Sequence, residues 1–151
     1  MTYKIPISVL VILFTRKYEI LLMERADRPG FWQSVTGSKE TVNEELSETA
    51  RREVYEETGL AFESDEYRYW NRSFEFEIYR RWRFKYAPGV IHNNEHVFSV
   101  LVDHSVDVRL STREHLSFRW VKREVAIKEV FSWTNSKALR ELPNYHIIEK
   151  S

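Results

Sequence analysis

Residues 37–60 read GSKETVNEELSETARREVYEETGL, and the phase of this stretch decides the fold. It predicts a long helix from about Glu44 to Thr58. Thr41 and Glu44 stand at capping-box spacing, and Gly59 sits where a C-terminal cap belongs. On a wheel advancing about 100° per residue from Leu46, Ala50 and Val54 fall at roughly 40° and 80° and mark the inward face. Glu53 and Glu57 fall at roughly −20° and 20°, on that same face. Glu56 lies at its edge, Glu48, Arg51 and Tyr55 point outward, and Arg52 points away from the carboxylates. A surface helix normally turns its charges to water. Two carboxylates one turn apart on the apolar stripe repel unless a cation or proton lies between them. Hard cations such as Mg²⁺ take oxygen ligands from one or two carboxylates, phosphate oxygens and water. The spacing therefore points to a metal site and not to solvated glutamates in a charged segment.

Outward from this helix, the chain reads as strands. Ile5–Phe14 and Glu19–Glu24 are apolar runs joined by a short charged turn, which predicts a hairpin. Trp32–Thr36 predicts a further short strand after the Arg28-Pro29-Gly30 break. Tyr67–Tyr79 alternates, with Phe74, Phe76 and Ile78 on one face and Glu75, Glu77 and Tyr79 on the other. Ala87–Val90 reads as a tight turn, and His96–Val102 and Phe118–Lys122 as strands. A second helix is expected over Asn135–Leu142, stopped by Pro143. The expected fold class is α/β of the α+β kind: a mixed β-sheet sandwiched between helices, in one domain over residues 1–151.

The 151 residues suffice to bury a core. The 23 basic and 23 acidic side chains cancel, which disfavours nucleic-acid binding and leaves small anions to local basic residues. Cysteine is absent, which excludes disulfides, iron–sulfur clusters and thiolate zinc sites. Lys4 followed by the apolar run Ile5–Phe14 has no small-residue cleavage site after it and is too short to span a bilayer. The expectation is a cytoplasmic monomer with no membrane partner, acting on a small molecule.

The residues Gly37, Glu44, Arg52, Glu53, Val54, Glu56, Glu57, Gly59 and Leu60 resemble the Nudix box, a loop–helix–loop signature. The match is complete from Glu44 to Leu60; between Gly37 and Glu44 lie six residues where the usual form has five. A narrower resemblance follows. Phe31–Ser38, Phe76-Glu77-Ile78, Tyr86–Val90, Thr112-x-Glu114-His115-Leu116 and Ser132-Trp133-x-Asn135 look like blocks of the bacterial dihydroneopterin triphosphate pyrophosphatases, in the same order. Asp103–Leu110 does not match.

The resemblance implies the Nudix fold with a catalytic loop–helix–loop, and a Mg²⁺-dependent hydrolysis (Mn²⁺ being the alternative ion) of a small polyphosphate. Dihydroneopterin triphosphate would yield the monophosphate and pyrophosphate. It further implies that Glu53, Glu57 and Glu114 bind the metal. Glu56 would be another ligand or take the proton of the attacking water, and Glu44 would pair with Arg52 to fix the loop to the helix. Lys4 and Arg25 would contact phosphates. Thr36, the Phe76–Tyr79 strand (Phe76, Glu77, Ile78, Tyr79) and Ser132 would hold the substrate, with Trp32 and Trp133 either beside its ring or in the core. Left open are other substrates, such as dATP or 8-oxo-dGTP, and a nucleotide-sensing domain without catalysis. Such sensing domains typically lose the metal glutamates, all of which are present here.

Overall fold

A computed structural model of the chain describes residues 2–149; residue 1 and residues 150–151, the ends of the expected domain, lie outside the described residues. Strand β1 (Ile7–Thr15) is the middle of the molecule. It is apolar without alternation because both of its faces are covered. Leu10, Ile12 and Phe14 enter one core with Ala138, Leu139 and Leu142, while Val9, Val11 and Leu13 enter another with Ala50 and Val54. Around it run β2 (Glu19–Arg25), β3 (Trp32–Gln33), β4 (Val35–Ser38), β5 (Tyr67–Glu77), β6 (His92–Val102) and β7 (His115–Lys122). Together they form one mixed seven-stranded sheet in the order β3-β2-β1-β6-β5, with β4 added to β1 and β7 to β2. Helix α1 (Leu46–Thr58) covers one face; α2 (Arg123–Glu129) and α3 (Trp133–Tyr145) cover the other. The expected sandwich is present.

Several boundaries differ from expectation for identifiable reasons. β1 and β2 pair at Phe14 and Ile20, beside the turn, and then part. β2 takes β7 as its long antiparallel partner, and β1 takes β6 in parallel and β4 antiparallel. The strand expected over Trp32–Thr36 is two strands, because the Ser34 N–H leaves the ladder to donate to Asn135 Oδ1 at 2.9 Å. α1 begins at Leu46 with no side-chain cap, so the Thr41–Glu44 capping box is absent. The Glu44 carboxylate is occupied elsewhere, by Arg52, Thr49 and the Glu40 N–H. Gly59 does cap the C-terminus, in the left-handed region at φ 74°, where only glycine is unstrained.

β5 carries a bulge near Asn71, after which Phe74 and Ile78 are buried while Glu75 and Glu77 are exposed. The turn at Ala87–Val90 forms as expected, the Val90 N–H donating to Ala87 O at 3.1 Å. α2 was not expected; it is short and charged and buries only Ala126. α3 is longer than expected and contains Pro143 within it. The carbonyl that a proline orphans four residues earlier is that of Leu139, and Arg123 Nη1 donates to it at 3.0 Å.

Candidate active site

One cavity of about 660 Å³ opens between the C-terminal half of α1, the ends of β1, β5 and β6, and the start of α3. Its metal-binding end is built on α1, which a clamp holds to the sheet. Arg52 Nε and Nη2 each lie 3.0 Å from a Glu44 oxygen, and Nη2 also donates to Ser38 O on β4 at 2.9 Å. The guanidinium pulls the Glu44 carboxyl down to about 2. The expected Glu44–Arg52 pair is therefore present. Arg52 does not point away from the carboxylates, however. Its Nη1 donates to Glu53 Oε1 at 2.7 Å and reaches Glu56 Oε2 at 3.4 Å. The wheel gives the direction of Cβ, and a long arginine stem lets the head group return along the helix.

Glu53 and Glu57 are buried, as their phase requires. The Glu53 carboxyl carbon lies 2.0 Å from where a Cβ on Gly37 would stand, so the carboxylate holds this position only because residue 37 has no side chain. Glu57 is 1% exposed, and no hydrogen bond reaches either of its oxygens from the described residues. Burial, and then the negative charge of Glu53, push its carboxyl well above the ordinary range. Burial likewise raises Glu53.

Glu114 arrives from the loop before β7. The Ala26 N–H donates to its carbonyl at 2.8 Å, and its neighbour His115 pairs with Arg25 across the sheet. Ligand atoms of Glu57, Glu114 and His115 lie within 4.8 Å of one another. His115 Nε2 stands 3.7 Å from Glu57 Oε1. Burial, helped by Arg25, pulls the imidazole down to about 4, so it faces Glu57 as a neutral ring. Orphaned buried carboxylate oxygens grouped with further oxygen and nitrogen donors suit a divalent cation. Glu56 is exposed and does not line the cavity.

The tighter group thus differs from the expected Glu53–Glu57–Glu114 set by His115. No role was assigned to that residue from sequence, though its adjacency to Glu114 was a usable signal.

Lys4, Arg25, Thr36, Phe76, Glu77, Ile78, Tyr79 and Ser132 all line this same cavity. Some are already engaged. Arg25 holds Asp27 through two contacts of 2.7 Å and lies over the Trp82 ring at 4.5 Å. Glu77 takes Arg83 Nη2 at 2.6 Å. The Ser132 hydroxyl caps α3, accepting from the Asn135 N–H at 3.1 Å. Trp133 lines the cavity; Trp32 does not, and packs against the core beneath the Arg119 guanidinium. Trp82, Phe131, Asn93 and Glu95 line it too and were missed. Trp82 and Phe131 lie outside any periodic segment. Asn93 and Glu95 are polar residues on the part of β6 not recognised as strand.

A mixed sheet between helices, with a loop–helix–loop turning carboxylates into a cavity, defines the Nudix fold. The NUDIX domain model matches residues 4–142, and the chain belongs to that family. Among its relatives, the dihydroneopterin triphosphate diphosphatase of Escherichia coli K12 is 35% identical over 142 residues, covering 92% of this chain and 93% of that protein. The Haemophilus influenzae protein of the same name is 39% identical over 144 residues, covering 93% and 89%. The solved structure of the E. coli dihydroneopterin triphosphate pyrophosphohydrolase superposes with a TM-score of 0.86 at 34% identity, over 93% of this chain and 97% of that one. Among the described residues no helix is long and apolar enough to cross a membrane.

Proposed function

We propose that this single-domain protein hydrolyses dihydroneopterin triphosphate to the monophosphate and pyrophosphate, with Mg²⁺ as its cation and Mn²⁺ as a substitute. The observation that carries the chemistry is Glu57, a fully buried carboxylate whose oxygens have no donor, beside Glu53 and within reach of Glu114. Supporting the substrate are two relatives of that name aligned over about nine-tenths of both chains.

Glu53, Glu57 and Glu114 would hold the cation. When bound, the ion neutralises phosphate oxygens and makes a water easier to deprotonate. Attack on a polyphosphate brings an anion to anions, so its barrier is largely electrostatic and positioning decides it. Lys4 and Arg25, both in the cavity wall, would hold the phosphate tail by charge. Arg52 fixes the Glu53 oxygen through its 2.7 Å contact, and the clamp on Glu44 fixes Arg52. Glu114 is exposed at the edge of the group, so a proton taken from the attacking water can pass from it to solvent. Glu56, held by Arg52 outside the cavity, is the poorer candidate for that step.

A panel of triphosphates with Mg²⁺ tests the reading. Dihydroneopterin triphosphate is expected to exceed dGTP, dATP and 8-oxo-dGTP in kcat/KM by about tenfold or more, because mismatched ring donors and acceptors leave buried groups unpaired. Pyrophosphate, not orthophosphate, should be the product. Equal turnover of a common deoxynucleotide would reject the substrate.

A further inference from the structure

Asn93 and Glu95 stand two residues apart on β6, so both side chains leave the same face of the sheet. That face is the floor of the cavity opposite the start of α3. Both residues are buried, at 3% and 6% exposure, and neither belongs to the metal-binding end. Each has an oxygen, Asn93 Oδ1 and Glu95 Oε1, that no hydrogen bond reaches from the described residues. Both are also held in place. Asn93 Nδ2 donates to Ser8 Oγ at 2.7 Å, which turns its amide oxygen away, and Glu95 has the Thr134 hydroxyl as its neighbour. Nearby Asn135 shows the contrast. Its oxygen accepts from the Ser34 N–H at 2.9 Å and its amide donates to Ser34 Oγ at 3.1 Å, so neither end is without a partner.

Buried acceptors without donors are rare in folded proteins, and each costs stability until something donates to it. Here both face a cavity whose neighbouring walls include the rings of Phe76 and Trp133, surfaces on which a flat ring can lie.

We propose that Asn93 and Glu95 read the ring of the substrate, accepting hydrogen bonds from the adjacent amino group and ring N–H of a 2-amino-4-oxopyrimidine edge. The proposal rests on the function given above, since a pterin carries that edge, and it names the residues that select it. A carboxylate accepts two parallel N–H donors and donates nothing. Guanine presents the same two donors side by side, whereas adenine offers an acceptor at the ring position and mismatches. Glu95 and Asn93 therefore separate amino-oxo rings from adenine, and the preference for pterin over guanine must come from other contacts. Burial lifts the Glu95 carboxyl to about 7, so the arrival of two donors favours the charged form that receives them.

The test compares wild type with Glu95→Gln, which keeps the shape but sets an amide donor against the ring donors, and with Asn93→Ser. The readouts are kcat/KM for dihydroneopterin triphosphate, dGTP and dATP with Mg²⁺, and the inhibition constant of inorganic tripolyphosphate, which has no ring. In Glu95→Gln the preference for each amino-oxo substrate over dATP should fall by about tenfold or more, while tripolyphosphate binds as in wild type. Asn93→Ser should show the same ring-dependent loss and keeps the test available if Glu95→Gln does not fold. An unchanged preference in a folded variant, or an equal loss on all three substrates, overturns the inference. Wild type that prefers dGTP to the pterin, with that preference over dATP lost in Glu95→Gln, would sink the proposed substrate and leave this inference standing.

Discussion

Glu57 sits where a carboxylate is least at ease: out of water, without a donor, beside a second carboxylate. Such a group destabilises the metal-free fold, and a neutral side chain of the same shape should relieve it. Glu57→Gln is therefore expected to melt in EDTA no lower than wild type while losing turnover by more than about a hundredfold. Glu48→Gln, on the outer face of the same helix, should leave both unchanged. Parallel losses in kcat for the two variants would show that the helix phase does not set the chemistry.

Gly37 makes a sharper case, because a Cβ there would stand 2.0 Å from the Glu53 carboxyl carbon. Gly37→Ala should fold, since the obstructing group is the end of a side chain, yet displace that carboxylate by an ångström or so. About a hundredfold loss of kcat/KM is expected from such a shift. Activity within threefold of wild type would mean that Glu53 has freedom to spare. Both glutamates were legible from the wheel alone. The turn of Arg52 toward them was not, because periodicity reports where a side chain starts and not where its head group ends.

At the level of elements, α3 shows a local rule overridden. Pro143 should end the helix, and it does not, because Arg123 at the start of α2 supplies a donor to the Leu139 carbonyl. The last turn then brings His146 under β6. Trp70 Nε1 donates to Ser99 Oγ at 2.8 Å, and Ser99 Oγ lies 2.8 Å from His146 Nδ1. With Trp70 donating to it, the serine keeps its own proton free for Nδ1 of a neutral ring. Burial, with Arg68 adding to it, holds His146 at about 4 instead of 6.5.

The unfolded imidazole takes up a proton below about 6.5 and the folded one only near 4, so acid favours the unfolded chain. The contribution is complete above pH 6.5 and is lost as pH falls toward 4, on the order of 1–3 kcal/mol in all. Urea unfolding at pH 7.5, 6 and 5 should show this loss in wild type and a shallower slope in His146→Gln, with His115 accounting for part of the remainder. An identical slope in the variant would remove His146 from the account.

For the whole molecule, a net charge of zero conceals a local concentration: the cavity gathers the α1 carboxylates Glu53 and Glu57 with Glu114, and Lys4, Arg25 and Lys85 line the same space. A divalent cation that binds the folded state alone should raise the melting temperature with the logarithm of its excess over Kd. Adding Mg²⁺ to EDTA-treated protein should restore activity and raise Tm in wild type, with little shift in Glu57→Gln. Full turnover in chelator would refute the assignment of these carboxylates.

The sheet between helices and the phase of α1 were legible in the chain before any contact was known, since period-2 and period-3.6 patterns lie within single segments and need no knowledge of neighbours. The Nudix box was legible by its resemblance to the family signature over residues 37–60. Tertiary structure alone decided the partners. It parted β1 from β2, set His115 beside Glu57, and turned Asn93 and Glu95 into a cavity. Those contacts join residues far apart in the chain, and whether a polar side chain meets water or a neighbour depends on which surfaces the fold brings together.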